Sequence, residues 1–233
     1  MRALFNTARE FAQDVYRNIV SLRESQDLFD DLTAGDEHLS SVAVEVEQYV
    51  KRGIPLGVIE RGFAYSTAIG YPFEVEPFMA SRFGDGRSGV WYGGLELETT
   101  IYESAYHMMR AELAVAGNDG VVVRERAVYR VFLDAVMFDL TGKCDDFPDL
   151  VANDYSFTQQ VGRRMREEGH PGLLVRSARY EEGTNSVVFN PAVLTNPRIS
   201  CYLTYIFNPR TLAVQVERTP GETLMIVEGV RWF

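Results

Sequence analysis

The sequence predicts an α+β domain dominated by sheet, with a helical extension in front of it, and three observations carry that prediction. Near the N-terminus, apolar residues recur at helical spacing. Beyond residue 60 the pattern changes to short runs of aromatic and β-branched residues bounded by glycine and proline, as strands are. In that longer part only two segments keep a helical pattern, so strands outnumber helices.

From Ala3 to about Leu22, the residues Leu4, Ala8, Phe11, Val15, Ile19 and Leu22 form one greasy stripe, which predicts an amphipathic helix. After the turn-rich Thr33-Ala34-Gly35-Asp36, a weaker stripe through Leu39, Val42, Val46 and Tyr49 predicts a second helix over His38–Tyr49. Residues 1–60 are therefore expected to be a helical extension, and residues 61–233 the main domain. Phe63–Ile69 and Gly89–Tyr92 read as strands, with a glycine-studded loop from Ser81 to Gly89 between them. Thr99 and Thr100 are placed to cap a helix through Ile101, Tyr102, Ala105, Met108, Met109 and Leu113, ended by Gly117. Strands follow at Val121–Val123 and Val128–Leu140, then a turn at Thr141–Lys143 and a polar helix from about Ser156 to Glu168, closed by Gly169. Gly172–Tyr180, Ser186–Phe189, Ser200–Phe207, Leu212–Arg218 and Leu224–Val230 complete the strands.

The 233 residues are 46% hydrophobic, enough for a sizeable core, which excludes a disordered chain. A net charge of -10 removes the diffuse positive field that nucleic-acid binders use, so direct nucleic-acid binding is not expected and an anionic ligand must be met by locally placed arginines. No apolar run is long enough to span a membrane, and the charged first turns lack the pattern of a signal peptide, which together predict a cytoplasmic protein. Cys144 and Cys201 lack paired spacing and read as buried or incidental thiols. The three histidines, His38, His107 and His170, fall in different elements without ligand spacing, so no metal is expected.

Three places can carry chemistry. Arg82 and Arg87, in the flexible loop before a strand, offer planar forks of donors that match phosphate oxygens; they can equally balance local acids on a surface turn. Glu103 and His107 stand four apart on one helix face. A carboxylate there can stabilise a positive charge developing on a ribose, or belong to an ordinary surface pair. Ser177 lies in a strand pattern without a nucleophile elbow, so it is read as a hydrogen-bonding group, to a ligand or to the fold itself, and not as a hydrolase nucleophile.

Taken together, Ser81-Arg82-Phe83, Gly89-Val90-Trp91-Tyr92, Glu98–His107, Gly172-Leu173-Leu174-Val175-Arg176-Ser177 and Val187-Val188-Phe189-Asn190-Pro191 resemble the core of the RES domain, over roughly residues 60–233. The family takes its name from an arginine, a glutamate and a serine, matched here by Arg82, Glu103 and Ser177. The resemblance implies a fold like that of the ADP-ribosyltransferases and a cleft that binds NAD as substrate. It also implies the toxin role of a toxin–antitoxin pair, whose usual partner is a helix-turn-helix (Xre-type) antitoxin that blocks the cleft and binds DNA. By the same resemblance Arg82 holds the phosphates or ribose of NAD, Tyr92 packs beside the nicotinamide ribose, Glu103 stabilises the cationic transition state, Ser177 anchors the ligand and His107 adds a supporting hydrogen bond. Phe63-Ala64-Tyr65-Ser66 departs from the Tyr-Arg pair often seen at the family's first strand, leaving Arg61 or Arg87 to supply that contact.

Three functions follow as alternatives. NAD is degraded, with inorganic phosphate or water as acceptor, and phosphate use needs a further cationic pocket for which Arg87, Arg176 and Arg179 are candidates. ADP-ribose is instead transferred to a protein side chain. Or the chain is a non-enzymatic partner-binding module. A homodimer is the expectation from the frequency of two-fold assemblies alone.

Overall fold

The computed structural model describes residues 3–21, 66–74, 78–115, 117 and 119–233. Its named elements are β1 (Ala8–Val20), β2 (Trp91–Gly94), α1 (Leu97–Leu113), β3 (Val122–Asp139), α2 (Ser156–Glu167), β4 (Gly172–Arg176), β5 (Thr184–Val188), β6 (Leu194–Asn208), β7 (Ala213–Thr219) and β8 (Glu222–Glu228). The architecture is α+β, built on one eight-stranded sheet in the order β1-β2-β5-β4-β3-β6-β7-β8. β1 pairs with both β2 and β3, so the first five strands of that order close into a ring and β6–β8 continue outward from β3.

One hydrophobic cluster fills the ring, built on Phe11, Val15, Trp91, Val131, Leu133, Met137 and Leu174. Outside it, α1 packs Ile101, Ala105 and Met109 onto Leu203, Tyr205, Val214, Val216 and Val227. α2 packs Val161 and Met165 against Leu173, Val175 and Val187 on the outer face of β4 and β5. Residues alternate between the inner and outer clusters along β3, with Ala127, Tyr129 and Val131 turned inward and Val128 outward, as period-two geometry requires.

The helix expected over Ala3–Leu22 is not there: Ala8–Val20 is a strand, running antiparallel to β3 from the pair Ala8–Phe138 to the pair Val20–Arg126. Phe11, Val15 and Ile19 are spaced by four, which fits one face of a helix and every second inward position of a strand equally well. The inward alternation is hidden by Arg17, which donates from Nη1 to the Tyr92 carbonyl at 2.7 Å and lies 5.4 Å over the Trp91 ring. β1 thus sits inside the sheet of the domain expected to begin at residue 61. The second predicted helix, His38–Tyr49, lies outside the described residues.

Two further expectations change. Ser66–Ile69, read as the end of a strand, belongs to a π-helical turn over Ser66–Gly70; its apolar residues Ala68 and Ile69 are buried, and the Ala68 carbonyl accepts the Trp91 indole N–H at 2.7 Å. The strands expected at Val121–Val123 and Val128–Leu140 are one strand, because each charge between them has a partner across the sheet or on α1. Arg124 bonds Glu112 at 2.8 Å, Glu125 accepts from Thr204 at 2.9 Å and Arg126 bonds Asn18 at 3.0 Å.

α1 begins at Leu97, so Thr99 and Thr100 lie within its first turn and do not cap it; Thr99 Oγ1 donates to the Glu96 carboxylate at 2.7 Å instead. Gly117 and Gly169 adopt the left-handed conformation expected at the ends of α1 and α2. Among the described residues no helix is long and apolar enough to cross a membrane.

Gly162 in α2 has a role that only the packing reveals: a Cβ there would stand 2.0 Å from the Phe83 carbonyl oxygen. Helix backbone therefore rests directly on the loop that carries Arg82. Gly162→Ala is expected to lower stability by about 1–3 kcal/mol through forced separation of the two, read as a reduced urea midpoint with unchanged slope.

Candidate active site

Glu103 projects from α1, and two side chains from the β4–β5 hairpin meet it. Ser177 donates from Oγ to Glu103 Oε1 at 2.6 Å, and Asn185 donates from Nδ2 to the same oxygen at 2.8 Å. Ser177 is itself buried and fixed, since Oγ accepts the backbone N–H groups of Arg179 at 3.1 Å and Tyr180 at 3.0 Å. Its single proton is thus committed to the carboxylate and its lone pairs to the turn. In this arrangement Ser177 orients Glu103.

The hairpin is closed beside them by Ser177 N–H to the Gly183 carbonyl at 2.8 Å and Gly183 N–H to the Tyr180 carbonyl at 2.9 Å. Register places Asn185 opposite Val175, with Arg176 opposite Thr184. Asn185 was not singled out from the sequence; the signal was a polar residue at the head of the apolar run Val187-Val188, legible only once the register was known.

Arg82 approaches from the loop before β2. Its Nη1 donates to the Ala152 carbonyl at 2.5 Å and to the Leu150 carbonyl at 3.3 Å, and its guanidinium lies 4.7 Å over the Tyr155 ring. Burial lowers its pKa from the ordinary arginine value, an effect opposed by Tyr155 and Glu103 and reinforced by Arg179. Tyr92 sets the loop's shape: its hydroxyl is hydrogen-bonded to Ser81 Oγ at 2.8 Å and accepts the Phe83 N–H at 2.9 Å, so the two neighbours of Arg82 hang from one phenol. Burial pushes that phenol up to about 12.

His107 lies one turn beyond Glu103 and is exposed. Desolvation by the surrounding protein lowers its pKa from the ordinary 6.5; Glu103 opposes the shift, while Arg179, Arg110 and Arg82 add to it. The shift favours the neutral imidazole at pH 7, and any stability tied to it is present above about pH 6.5 and lost as pH falls through the lowered pKa. Exposure screens the effect, so stability is the poorer readout. In an NMR titration His107 is expected to titrate below 6.5 and to move upward in Arg179→Met; a midpoint at or above 6.5 in the native chain defeats this.

Arg82, Glu103, Ser177, Tyr92 and His107 are thus brought into one neighbourhood, joined by Asn185, Tyr155 and Arg179. Arg87 is not: its side chain is 78% exposed and faces Asp85 at 3.8 Å, where Arg163 also binds at 2.9 Å. Arg61 lies outside the described residues. Among the described residues no three histidine, cysteine, aspartate or glutamate side chains converge on a metal position.

The family model described as the RES domain matches residues 59–208, which hold every one of these site residues. The chain belongs to the RES-domain family. The matched stretch runs from before β2 to the end of β6 and leaves β1, β7 and β8 outside its bounds. Among solved structures, the crystal structure of the M. tuberculosis MbcT–MbcA toxin–antitoxin complex aligns with 87% of this chain and 88% of that chain, at 13% identity and a TM-score of 0.45. Among curated proteins none matches.

Proposed function

We propose that this RES-domain chain is a toxin that binds NAD and breaks its nicotinamide–ribose bond, restrained by a helix-turn-helix antitoxin. The observation that supports the reading best is the carboxylate of Glu103, fixed through one oxygen by Ser177 and Asn185 and within electrostatic reach of Arg82. A carboxylate held in place by donors needs no reorganisation when a cation forms beside it, and such preorganised charge is the larger part of most transition-state stabilisation.

In the reaction the bond from the ribose anomeric carbon to the nicotinamide nitrogen breaks, and its electron pair neutralises the positive charge of the ring. Positive charge passes to the ribose as an oxocarbenium ion, which Glu103 stabilises. The leaving group departs neutral and needs no general acid, which suits a neutral His107 in a hydrogen-bonding role. An oxygen of phosphate or water then bonds to the anomeric carbon, giving ADP-ribose-1''-phosphate or, with loss of a proton from the water, ADP-ribose.

The test is to incubate the purified chain with NAD, with and without inorganic phosphate, and to follow nicotinamide and ribosyl products by chromatography. Nicotinamide release is expected. Release that depends on phosphate identifies a phosphorylase and release without it a glycohydrolase; absence of release in both buffers overturns the reading.

A further inference from the structure

We infer that Arg179 forms a buried phosphate-binding subsite beside Glu103, taking a phosphate oxyanion that belongs either to the bound dinucleotide or to free inorganic phosphate. The inference rests on NAD as the substrate and adds the group that receives its, or the acceptor's, negative charge.

Three arginines beyond Arg82 are near enough in sequence to the site motifs to serve, and their surroundings separate them. Arg87 is 78% exposed and faces Asp85 at 3.8 Å. Arg176 faces Asp145 at 3.8 Å, and its side chain is 31% exposed. Arg179 is only 6% exposed, and its Nη2 is buried without a hydrogen-bond partner. A buried guanidinium nitrogen with no acceptor is costly to the fold, and an arriving oxyanion relieves that cost.

Its position ties it to the site. The Arg179 backbone N–H donates to Ser177 Oγ at 3.1 Å, and that same oxygen donates to Glu103 at 2.6 Å. The charge of Arg179 bears on both Arg82 and His107, as does that of Glu103, in a protein whose net charge is -10. A guanidinium fork with an unused donor matches the several oxygens of a phosphate.

The group is also held rigidly. Its guanidinium lies 3.5 Å over the Tyr106 ring. Phe233 stacks on Tyr106 at 5.6 Å, Trp232 meets the same ring edge-on at 5.4 Å, and Arg231 Nη2 donates to the Arg179 carbonyl at 3.0 Å. Residues after β8 thus brace the subsite from behind, outside the stretch that the family model matches. Preorganisation of this kind lowers the entropic cost of binding.

The experiment titrates inorganic phosphate alone, and ADP-ribose alone, into the wild type, R179M and R179K, by isothermal calorimetry, with folding checked by circular dichroism. The wild type is expected to bind at least one ligand, and R179M to bind it about tenfold or more weakly, with R179K between them. Loss for inorganic phosphate assigns the subsite to the acceptor, and loss for ADP-ribose alone assigns it to the dinucleotide; both support the inference. Wild-type affinity for both ligands in R179M overturns it, as does a wild type that binds neither. If R179M does not fold, R179K carries the test, with about threefold weaker binding expected and unchanged binding overturning the subsite. Neither titration involves bond cleavage, so binding that depends on Arg179 in a chain that releases no nicotinamide keeps the subsite and defeats only the reaction.

Discussion

Glu103→Gln is expected to leave the fold intact and to slow NAD cleavage by about 100- to 1000-fold, a loss of roughly 2.7–4 kcal/mol of transition-state stabilisation. The substitution is close to isosteric, and an amide oxygen can still accept from Ser177 and Asn185, which hold the carboxylate at 2.6 and 2.8 Å. What disappears is the negative charge facing the ribose as the nicotinamide leaves. The loss is therefore expected in kcat and kcat/KM together, with the NAD dissociation constant little altered. Near-normal turnover in a folded Glu103→Gln protein defeats the assignment.

Arg82→Ala is expected to weaken NAD binding by about 2–4 kcal/mol, within the range found when one partner of a desolvated charge pair is removed. The arginine is also a structural tie, since its Nη1 reaches the carbonyls of Leu150 and Ala152. Its loss leaves two acceptors from the segment before α2 without that donor and uncovers the Tyr155 ring. A stability loss of about 1 kcal/mol is expected beside the binding defect, so calorimetric NAD titrations are compared at temperatures where both proteins remain folded. Unchanged NAD affinity moves the clamp to another cation.

Much of the later fold was legible in the sequence because its signals were local. Gly169 closes α2 where a left-handed residue was expected, and the runs that became β4–β8 each sit close to where aromatic and β-branched residues cluster. β1 was not legible, because a four-residue apolar spacing serves both periods and the deciding inward residue, Arg17, is polar. The continuity of β3 was hidden by Arg124, Glu125 and Arg126, whose partners lie on other elements.

The grouping of Arg82, Tyr92, Glu103, His107 and Ser177 was legible in the sequence, and the hydrogen bonds that hold them were not. Tyr92 was expected beside a ribose; its phenol also organises the backbone on either side of Arg82, a role with no signature in the sequence. Asn185 and Tyr155 depend on strand register and on the path of the chain before α2, neither of which has a local signature. Arg87 matched the phosphate-binding pattern in sequence, but the nearest acid, Asp85, engages it.

Every β1–β3 pair joins residues more than a hundred positions apart. During synthesis the β1–β3 ladder therefore cannot be complete until the end of β3 at Asp139 has left the ribosome. Long-range ladders of this kind form slowly, since the entropy of loop closure is met before the contacts repay it. The ring's closing strand also supplies Arg17, the donor to the Tyr92 carbonyl. The strand made first is thus secured by the longest-range pairing of the sheet, and the Arg82 loop gains this support only when that pairing forms.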